Sequence, residues 1–207
     1  MLYIVEGIRG SGKTYLINSF FEKIYNSYEY EYLSFTHKYK FNYMNNFLDL
    51  FQDQEYYNFC LGSFSLGKDL QLLSLNKEGF LPSVFVVDRG ILSTLSYGYQ
   101  YKRFSEKKIN DIVGMLNANE LLQGVKIIYI SPNIDKLKEN IKHRNKNDNE
   151  LYESFTIEEQ LNGYQKFISI FQDNIKIITN NYDSESECSF FNEIYNGLYK
   201  GFLDEYK

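Results

Sequence analysis

Residues 2–14 read LYIVEGIRGSGKT. An apolar run, Leu2 to Val5, leads into Gly7-Ile8-Arg9-Gly10-Ser11-Gly12-Lys13-Thr14, which satisfies every fixed position of the phosphate-binding pattern G-x-x-x-x-G-K-[ST]. The residue types follow from the chemistry. A nucleoside triphosphate brings about four negative charges, and these need N–H donors with no side chain in the way. Gly7, Gly10 and Gly12 let the backbone take positive φ and turn its N–H groups inward, and Ser11 belongs to the same phosphate-binding loop. The following stretch, YLINSFFEKIY, has amphipathic helical spacing, so the positive end of a helix dipole points at the same phosphates. Lys13 then reaches the β- and γ-phosphates, and the Thr14 hydroxyl is a ligand for Mg²⁺. An ordinary glycine-rich turn would lack this context of an apolar strand before and an amphipathic helix after.

Outward from the loop, strand-like runs recur between helical stretches, the alternation of a parallel sheet covered on both faces. Tyr30 to Phe35 is predicted as the second strand, and Lys176 to Thr179 (KIIT) as the last and shortest. Between them, Ser83 to Val87 (SVFVV) and Val125 to Ile130 (VKIIYI) are the continuous apolar runs of buried parallel strands. Helical character covers Phe41 to Glu78, with a break expected near Gly62 to Ser65, then Ile109 to Leu122 and a helix from about Ile134 that runs into the polar stretch Arg144 to Asn149. Ile157 to Phe171 and Phe190 to Phe202 complete the helices. Five strands with helical crossovers predict a three-layer α/β fold of the P-loop NTPase kind, one domain over residues 1–207, with ligands at the carboxyl ends of the strands.

Lys and Arg number 22 against 27 Asp and Glu, a net charge of −5. That argues against broad binding to nucleic-acid backbones, which calls for a basic face, so any phosphate site is a local positive pocket in an acidic protein. The aromatic share of 18 % reads as compositional bias, since Asn, Lys and Tyr are plentiful while Pro occurs only twice. Cys60 and Cys188 are too few and too far apart for a metal motif and are expected as reduced core thiols. The chain enters the nucleotide-binding strand at residue 2, which leaves no room for a signal peptide, and no apolar run approaches the roughly 20 residues of a bilayer-spanning helix. The expectation is a cytoplasmic protein acting on small nucleotides, with no membrane partner; a homodimer is left open.

The phosphate loop alone does not separate kinases from ATPases or GTPases. A guanine-reading N-K-x-D occurs as Asn145-Lys146-Asn147-Asp148, but that motif works from a loop directly after a strand, and here a helix intervenes after Ile130. In an Asn- and Lys-rich chain it is read as a chance match. Motor ATPases carry appended domains for which 207 residues leave little room. The second acidic landmark is Asp88-Arg89, at the end of the SVFVV strand, rather than an Asp-Glu pair. On that edge of the sheet Asp88 is placed to hold the Mg²⁺ water shell, and Arg89 to face an acceptor phosphate.

In the order of these features the chain resembles the thymidylate kinase family of nucleoside monophosphate kinases, with deoxynucleoside kinases as cousins. The resemblance runs over most of the chain at low identity. The family opens with an apolar strand and Glu-Gly, matched by Glu6-Gly7. Its middle signature, Asp-Arg-Tyr followed by a small hydroxyl residue and an aromatic, is matched by Asp88, Arg89, Ser93 and Tyr97, with Gly90 replacing the tyrosine. Counting back from Asp88, Phe64 and Lys68 fall where the family places a base-stacking Phe and a base-reading Arg, and their i, i+4 spacing puts both on one helix face. Lys38 matches an Arg that grips the acceptor phosphate. The family's basic lid, closed by a Tyr-Glu pair, is matched by His143 to Glu153 (HRNKNDNELYE), with Arg144 and Tyr152-Glu153 in place. Three positions depart from the family. Arg9 stands where an Asp usually meets the sugar 3′-hydroxyl, Lys68 replaces the base-reading Arg, and Leu151 occupies the place of a frequent lid Arg. Glu6 has two readings, shaping the P-loop through backbone hydrogen bonds or contributing to Mg²⁺ through water.

The resemblance implies Mg²⁺-dependent transfer of the ATP γ-phosphoryl onto dTMP or a related deoxypyrimidine monophosphate. Lys13 and the P-loop amides hold the donor, Thr14 and Asp88 the metal, and Arg89 with Lys38 the acceptor phosphate. Phe64, Lys68, Ser93 and Tyr97 complete the acceptor site, and Arg9 and Arg144 are the two candidates for the arginine that stabilises the transferring charge. A deoxynucleoside kinase, the first alternative, must deprotonate a 5′-hydroxyl and usually keeps a carboxylate just past its second strand. Here that place reads Ser34-Phe35-Thr36-His37-Lys38, with no acid, which favours a phosphate acceptor. A non-catalytic nucleotide-binding relic is the second alternative, against which the intact Lys13, Thr14, Asp88 and Arg89 speak.

Overall fold

The computed structural model describes residues 1–25, 54–81, 85–139 and 156–205. At its centre lies β1 (Leu2–Glu6), flanked by β2 (Phe85–Asp88) and β3 (Val125–Pro132), with β4 (Ile175–Asn180) beyond β3. All pairings are parallel and the order is β2-β1-β3-β4. Because side chains alternate across a strand, β1 feeds two cores. Leu2 and Ile4 join Phe85, Val87, Ile127 and Tyr129 on one face. Tyr3 and Val5 join Val86, Ile128, Ile130 and Ile178 on the other. A strand buried on both faces has no polar alternation, which is why these runs read as continuously apolar.

The second of these faces is covered by α1 (Lys13–Tyr25) and α6 (Ser184–Glu205) through Leu16, Ile17, Phe20, Phe190 and Ile194. The first is covered by α2 (Gln54–Lys77), α3 (Ile91–Gln100), α4 (Glu106–Ala118) and α5 (Ile157–Ile168), the last ending in a 3₁₀ turn at Ser169–Phe171. Residues 134–139 are also helical and separate β3 from the Asn145–Asp148 match. Ser105 caps α4 by accepting from Lys108 N, and Thr156 with Glu159 forms a capping box at the start of α5. Among the described residues no helix is long and apolar enough to cross a membrane.

Several sequence expectations change. Four strands are present among the described residues, and the fifth, Tyr30 to Phe35, lies outside them, as do Phe41 to Asp53 and the lid stretch His143 to Glu153. The break expected near Gly62 to Ser65 is absent, since α2 runs through it unbroken. Gly62 is instead a close-packing position, where a Cβ would sit 3.0 Å from Arg103 Cβ and 3.1 Å from the Phe104 ring. The helix expected over Ile109 to Leu122 is shifted to Glu106–Ala118, and the last helix begins at Ser184, ahead of Phe190. The thiols are free, but Cys60 is only partly buried and Cys188 lies exposed on α6, so the core-thiol expectation fails. Helix α3 was not legible. Its sequence, ILSTLSYGYQ, buries hydroxyls and a glycine where an amphipathic helix would show apolar residues.

Candidate active site

In register, Val5 of β1 lies opposite Asp88 of β2, so the phosphate loop and the Asp-Arg pair leave the sheet side by side. Gly7, Gly10 and Gly12 have φ of 143°, 78° and 90°. At Gly7 a Cβ would also lie 2.6 Å from the Ile130 carbonyl oxygen, so only glycine fits. The loop's carbonyls are held from behind. Gly7 O accepts from Tyr164 Oη at 3.2 Å, Gly10 O from Tyr182 Oη at 2.8 Å and Ser11 O from Asn180 Nδ2 at 2.8 Å; apart from these clamps, Lys13 Nζ donates to Ile8 O at 2.8 Å. Since C=O and N–H of a trans peptide point opposite ways, the bonds to Gly7 O and Ser11 O turn the N–H groups of Ile8 and Gly12 to the other side, where an anion would sit. Lys13 Nζ also lies 3.3 Å from Ser11 Oγ. A cleft of about 420 Å³ opens beside the loop between Tyr15 and Leu16 of α1 and Tyr182, Ser184 and Glu187 at the start of α6.

Thr14, in the first turn of α1, donates from Oγ1 to Asp88 Oδ2 at 2.7 Å. The second oxygen, Asp88 Oδ1, is buried and has no hydrogen-bond partner. A buried carboxylate oxygen without a donor is costly, and a hard cation beside a hydroxyl would satisfy it. The residues therefore fit Mg²⁺, which typically takes only one or two protein ligands and completes its shell with phosphate and water. No group of three or more His, Cys, Asp or Glu able to hold a metal occurs among the described residues.

Arg89 follows with φ 69°, a conformation that costs a non-glycine residue energy and is fixed here by Arg89 N donating to Val5 O at 2.9 Å. Its Nη1 donates to Tyr97 Oη at 2.9 Å, Tyr164 Oη at 3.0 Å and Ser93 Oγ at 3.4 Å. Nε and Nη2 have no partner among the described residues and leave one edge of the guanidinium unengaged. Burial works against its charge, but the oxygens of Tyr164 and Tyr97 and the carboxylates of Glu6 and Asp88 more than offset this, so its pKa lies above the ordinary value. Glu6 is fully buried beneath it. Glu6 Oε1 accepts from Gly90 N at 2.9 Å and Ser93 N at 3.1 Å, and Oε2 accepts from Ser93 Oγ. Glu6 thus shapes the turn into α3, and the first of its two sequence readings, backbone hydrogen bonds to the P-loop, is not what its carboxylate makes. Burial pushes its pKa up to about 7, with the Ser93 bonds, the Arg89 charge and Gly90 pulling the other way.

Neither a family model nor a curated protein sequence matches the chain. Solved structures do. Deoxyadenosine kinase from M. mycoides with products dCMP and a flexible dCDP superposes with a TM-score of 0.60 at 17 % identity, covering 97 % of this chain and 100 % of that one. The YorR protein from Bacillus subtilis in complex with phosphorylated GDP gives 0.56 at 16 %, covering 100 % and 99 %. Thymidylate kinase from Ehrlichia chaffeensis gives 0.54 at 17 %, covering 96 % and 98 %. The fold is that of the P-loop nucleoside and nucleotide kinases.

Within this kinase fold the structure brings Gly7 to Thr14, Asp88, Arg89, Ser93 and Tyr97 to one edge of the sheet. Ser93 and Tyr97 have their hydroxyls on Glu6 and Arg89. Lys68 is partly buried on α2, with Nζ 3.9 Å from Asp69 Oδ1. Its pKa is lowered by burial, against the pull of Asp69 and Glu6. Phe64 lies one turn earlier on the same helix and is 59 % exposed. Arg9 is half-buried in the loop. Lys38 and Arg144 lie outside the described residues.

Five residues of the site, Asp69, Thr94, Tyr164, Asn180 and Tyr182, escaped the sequence reading. Asp69 is buried and accepts from Thr94 Oγ1 at 2.5 Å, and burial pushes its pKa up to about 6 against the Thr94 bond and the Lys68 charge. Tyr164, Asn180 and Tyr182 clamp the loop from behind. A signal existed for two of these: Asn180 ends the last strand and Tyr182 follows it by two residues, on the edge where such sheets bind ligands.

Proposed function

We propose that the chain is a Mg²⁺-dependent kinase that moves the γ-phosphoryl of ATP onto a deoxypyrimidine monophosphate, dTMP or a close analogue. The observation that carries this reading is the Asp88-Arg89 pair beside the loop. One residue carries a buried oxygen without a donor beside a second oxygen that accepts from Thr14 Oγ1 at 2.7 Å, and the next presents a charged guanidinium with one edge unengaged.

Phosphoryl transfer has a loose transition state, so the protein's task is to hold groups in line and stabilise spread charge. Lys13 and the loop amides hold the donor's β- and γ-phosphates, and the cleft beside Tyr182 is of a size for the donor's base and sugar. Thr14 and Asp88 would hold Mg²⁺, which supplies neutralising charge to the donor's phosphate oxygens. Arg89 meets the acceptor phosphate with its Nε/Nη2 edge, and Lys38 adds a second cation. Ser93 and Tyr97 serve the acceptor through Arg89, while Phe64 and Lys68 face its base. Arg9 or Arg144 stabilises the transferring group. The acceptor oxygen is already ionised, so no residue has to remove a proton. Such an enzyme works on cytoplasmic nucleotides.

The second reading is a deoxynucleoside kinase, favoured by the somewhat higher TM-score to the M. mycoides deoxyadenosine kinase, 0.60 against 0.54 for the thymidylate kinase. A coupled ADP-release assay with ATP and Mg²⁺, over dTMP, dUMP, dCMP and the matching nucleosides, separates the two. We expect dTMP or dUMP to be phosphorylated faster than thymidine or deoxyuridine. Nucleosides preferred by more than about tenfold, roughly 1.4 kcal/mol in the barrier, would transfer the assignment to the second reading. No turnover with any acceptor would overturn both.

A further inference from the structure

Tyr164 comes from α5, on the far side of the chain from the loop and the Asp-Arg turn, yet its hydroxyl sits where they meet. The side chain is fully buried. Its ring packs on those of Tyr129 and Tyr97, with centroids 5.4 and 6.0 Å away. The oxygen accepts from Arg89 Nη1 at 3.0 Å, lies 2.6 Å from Ser93 Oγ and donates to Gly7 O at 3.2 Å. Ser93 spends its own proton on Glu6, so the single Tyr164 proton is shared between Ser93 Oγ and the loop carbonyl. One oxygen therefore touches the arginine of the acceptor side, the support beneath it and the first glycine of the donor loop.

Its place is set by backbone packing. At Gly163, the preceding residue, a Cβ would lie 2.2 Å from Gln100 Nε2 and 2.5 Å from its Cδ, so α5 approaches α3 closely there. Gln100 Nε2 in turn donates to the Glu159 carbonyl at 2.5 Å. The other buried aromatic of α5, Phe167, contributes only packing. A phenylalanine at 164 would fill the same volume, and the hydroxyl adds nothing to the core that its burial does not cost.

We propose that Tyr164 is a positioning residue for phosphoryl transfer: its hydroxyl sets Arg89 against the Gly7 end of the P-loop and so aligns acceptor with donor. This rests on the kinase reading above. The test is Tyr164→Phe, which keeps the ring and deletes the oxygen, measured in steady-state turnover with ATP·Mg²⁺ and the best acceptor of the panel, beside Arg89→Lys and the double variant. We expect kcat to fall about 10- to 100-fold while KM for ATP stays within threefold and the thermal midpoint moves only a few degrees. Because the effect runs through Arg89, adding Tyr164→Phe to Arg89→Lys costs less than threefold. A Phe variant within threefold of wild type, or losses that multiply in the double variant, overturns the proposal. Should the Phe variant not fold, 4-aminophenylalanine at 164 keeps a donor for Gly7 but is a poor acceptor for Arg89, and an unchanged kcat with it is equally fatal. A wild type that releases no ADP instead removes the kinase reading itself.

Discussion

Lys13 and Arg9 carry the same charge in the same loop, but the fold treats them differently. Lys13 is 5 % exposed, with its ammonium on the Ile8 carbonyl and the Ser11 hydroxyl, so it is held over the cradle it serves. Lys13→Ala should therefore cut kcat by more than tenfold while the protein stays folded; a variant keeping more than about a tenth of wild-type kcat, a barrier change below about 1.4 kcal/mol, would count against the mechanism. Arg9 is half-buried and has donors only, so it cannot replace an Asp that accepts from a sugar hydroxyl. Its planar fork suits two phosphate oxygens instead. Arg9→Ala is expected to lose on the order of a hundredfold or more in kcat. A loss below about threefold would mark it as a solvent-facing charge, of the strength of an exposed ion pair.

At the scale of elements, α3 shows why a helix can hide. Ser93 and Thr94 lower its helical signal, and they are the residues that satisfy the buried carboxylates of Glu6 and Asp69. Its glycine is also structural. A Cβ at Gly98 would lie 2.4 Å from Cδ2 of the buried Phe104 ring. Gly114 on α4 is exposed, and nothing lies within 4 Å of the same atom. The two predict opposite outcomes in urea unfolding. Gly98→Ala overpacks the α3 turn and should destabilise by about 1–3 kcal/mol, whereas Gly114→Ala should stabilise by about 0.5–1 kcal/mol through helix propensity. Equal effects at both sites would mean that α3 does not pack on Phe104 as described. The lost break in α2 has the same origin, since Gly62 fits against Arg103 and Phe104 and spacing along the chain carries no record of that contact.

For the whole molecule, two carboxyls buried together under the site govern the response to pH. Glu6 titrates near 7 against an ordinary 4.5, and Asp69 near 6 against 3.8, in both cases because burial penalises the charged form first. From about pH 4 to 7 the folded protein holds protons that the unfolded chain releases, so stability falls as pH rises through this window and is fully present below it. Glu6→Gln keeps the acceptor oxygen for Gly90 N and Ser93 N but removes the titration. Urea unfolding at pH 5 and pH 8 should find the variant close to wild type at pH 5 and more stable at pH 8, by about 2–3 kcal/mol at the linkage rate of 1.36 kcal/mol per pKa unit. Parallel pH curves would show that Glu6 does not titrate in the folded state.

What the sequence by itself determined is what a contiguous segment can carry. The glycine spacing of residues 7–14, the apolar runs of β1, β2 and β3, and an Asp-Arg pair at a strand end require only backbone geometry and local solvent exclusion, and each is found where it was expected. Tertiary structure alone decided the partners of the buried polar groups. Gly7 and Tyr164 are 157 positions apart, Ser11 and Asn180 169, Glu6 and Ser93 87. A buried donor or acceptor must find a partner or lose stability, but local preference does not say which one. That choice falls to the register of β1 on β2, which puts Val5 beside Asp88, and to the close approach of α5 to α3 at Gly163, which delivers one tyrosine oxygen to the loop.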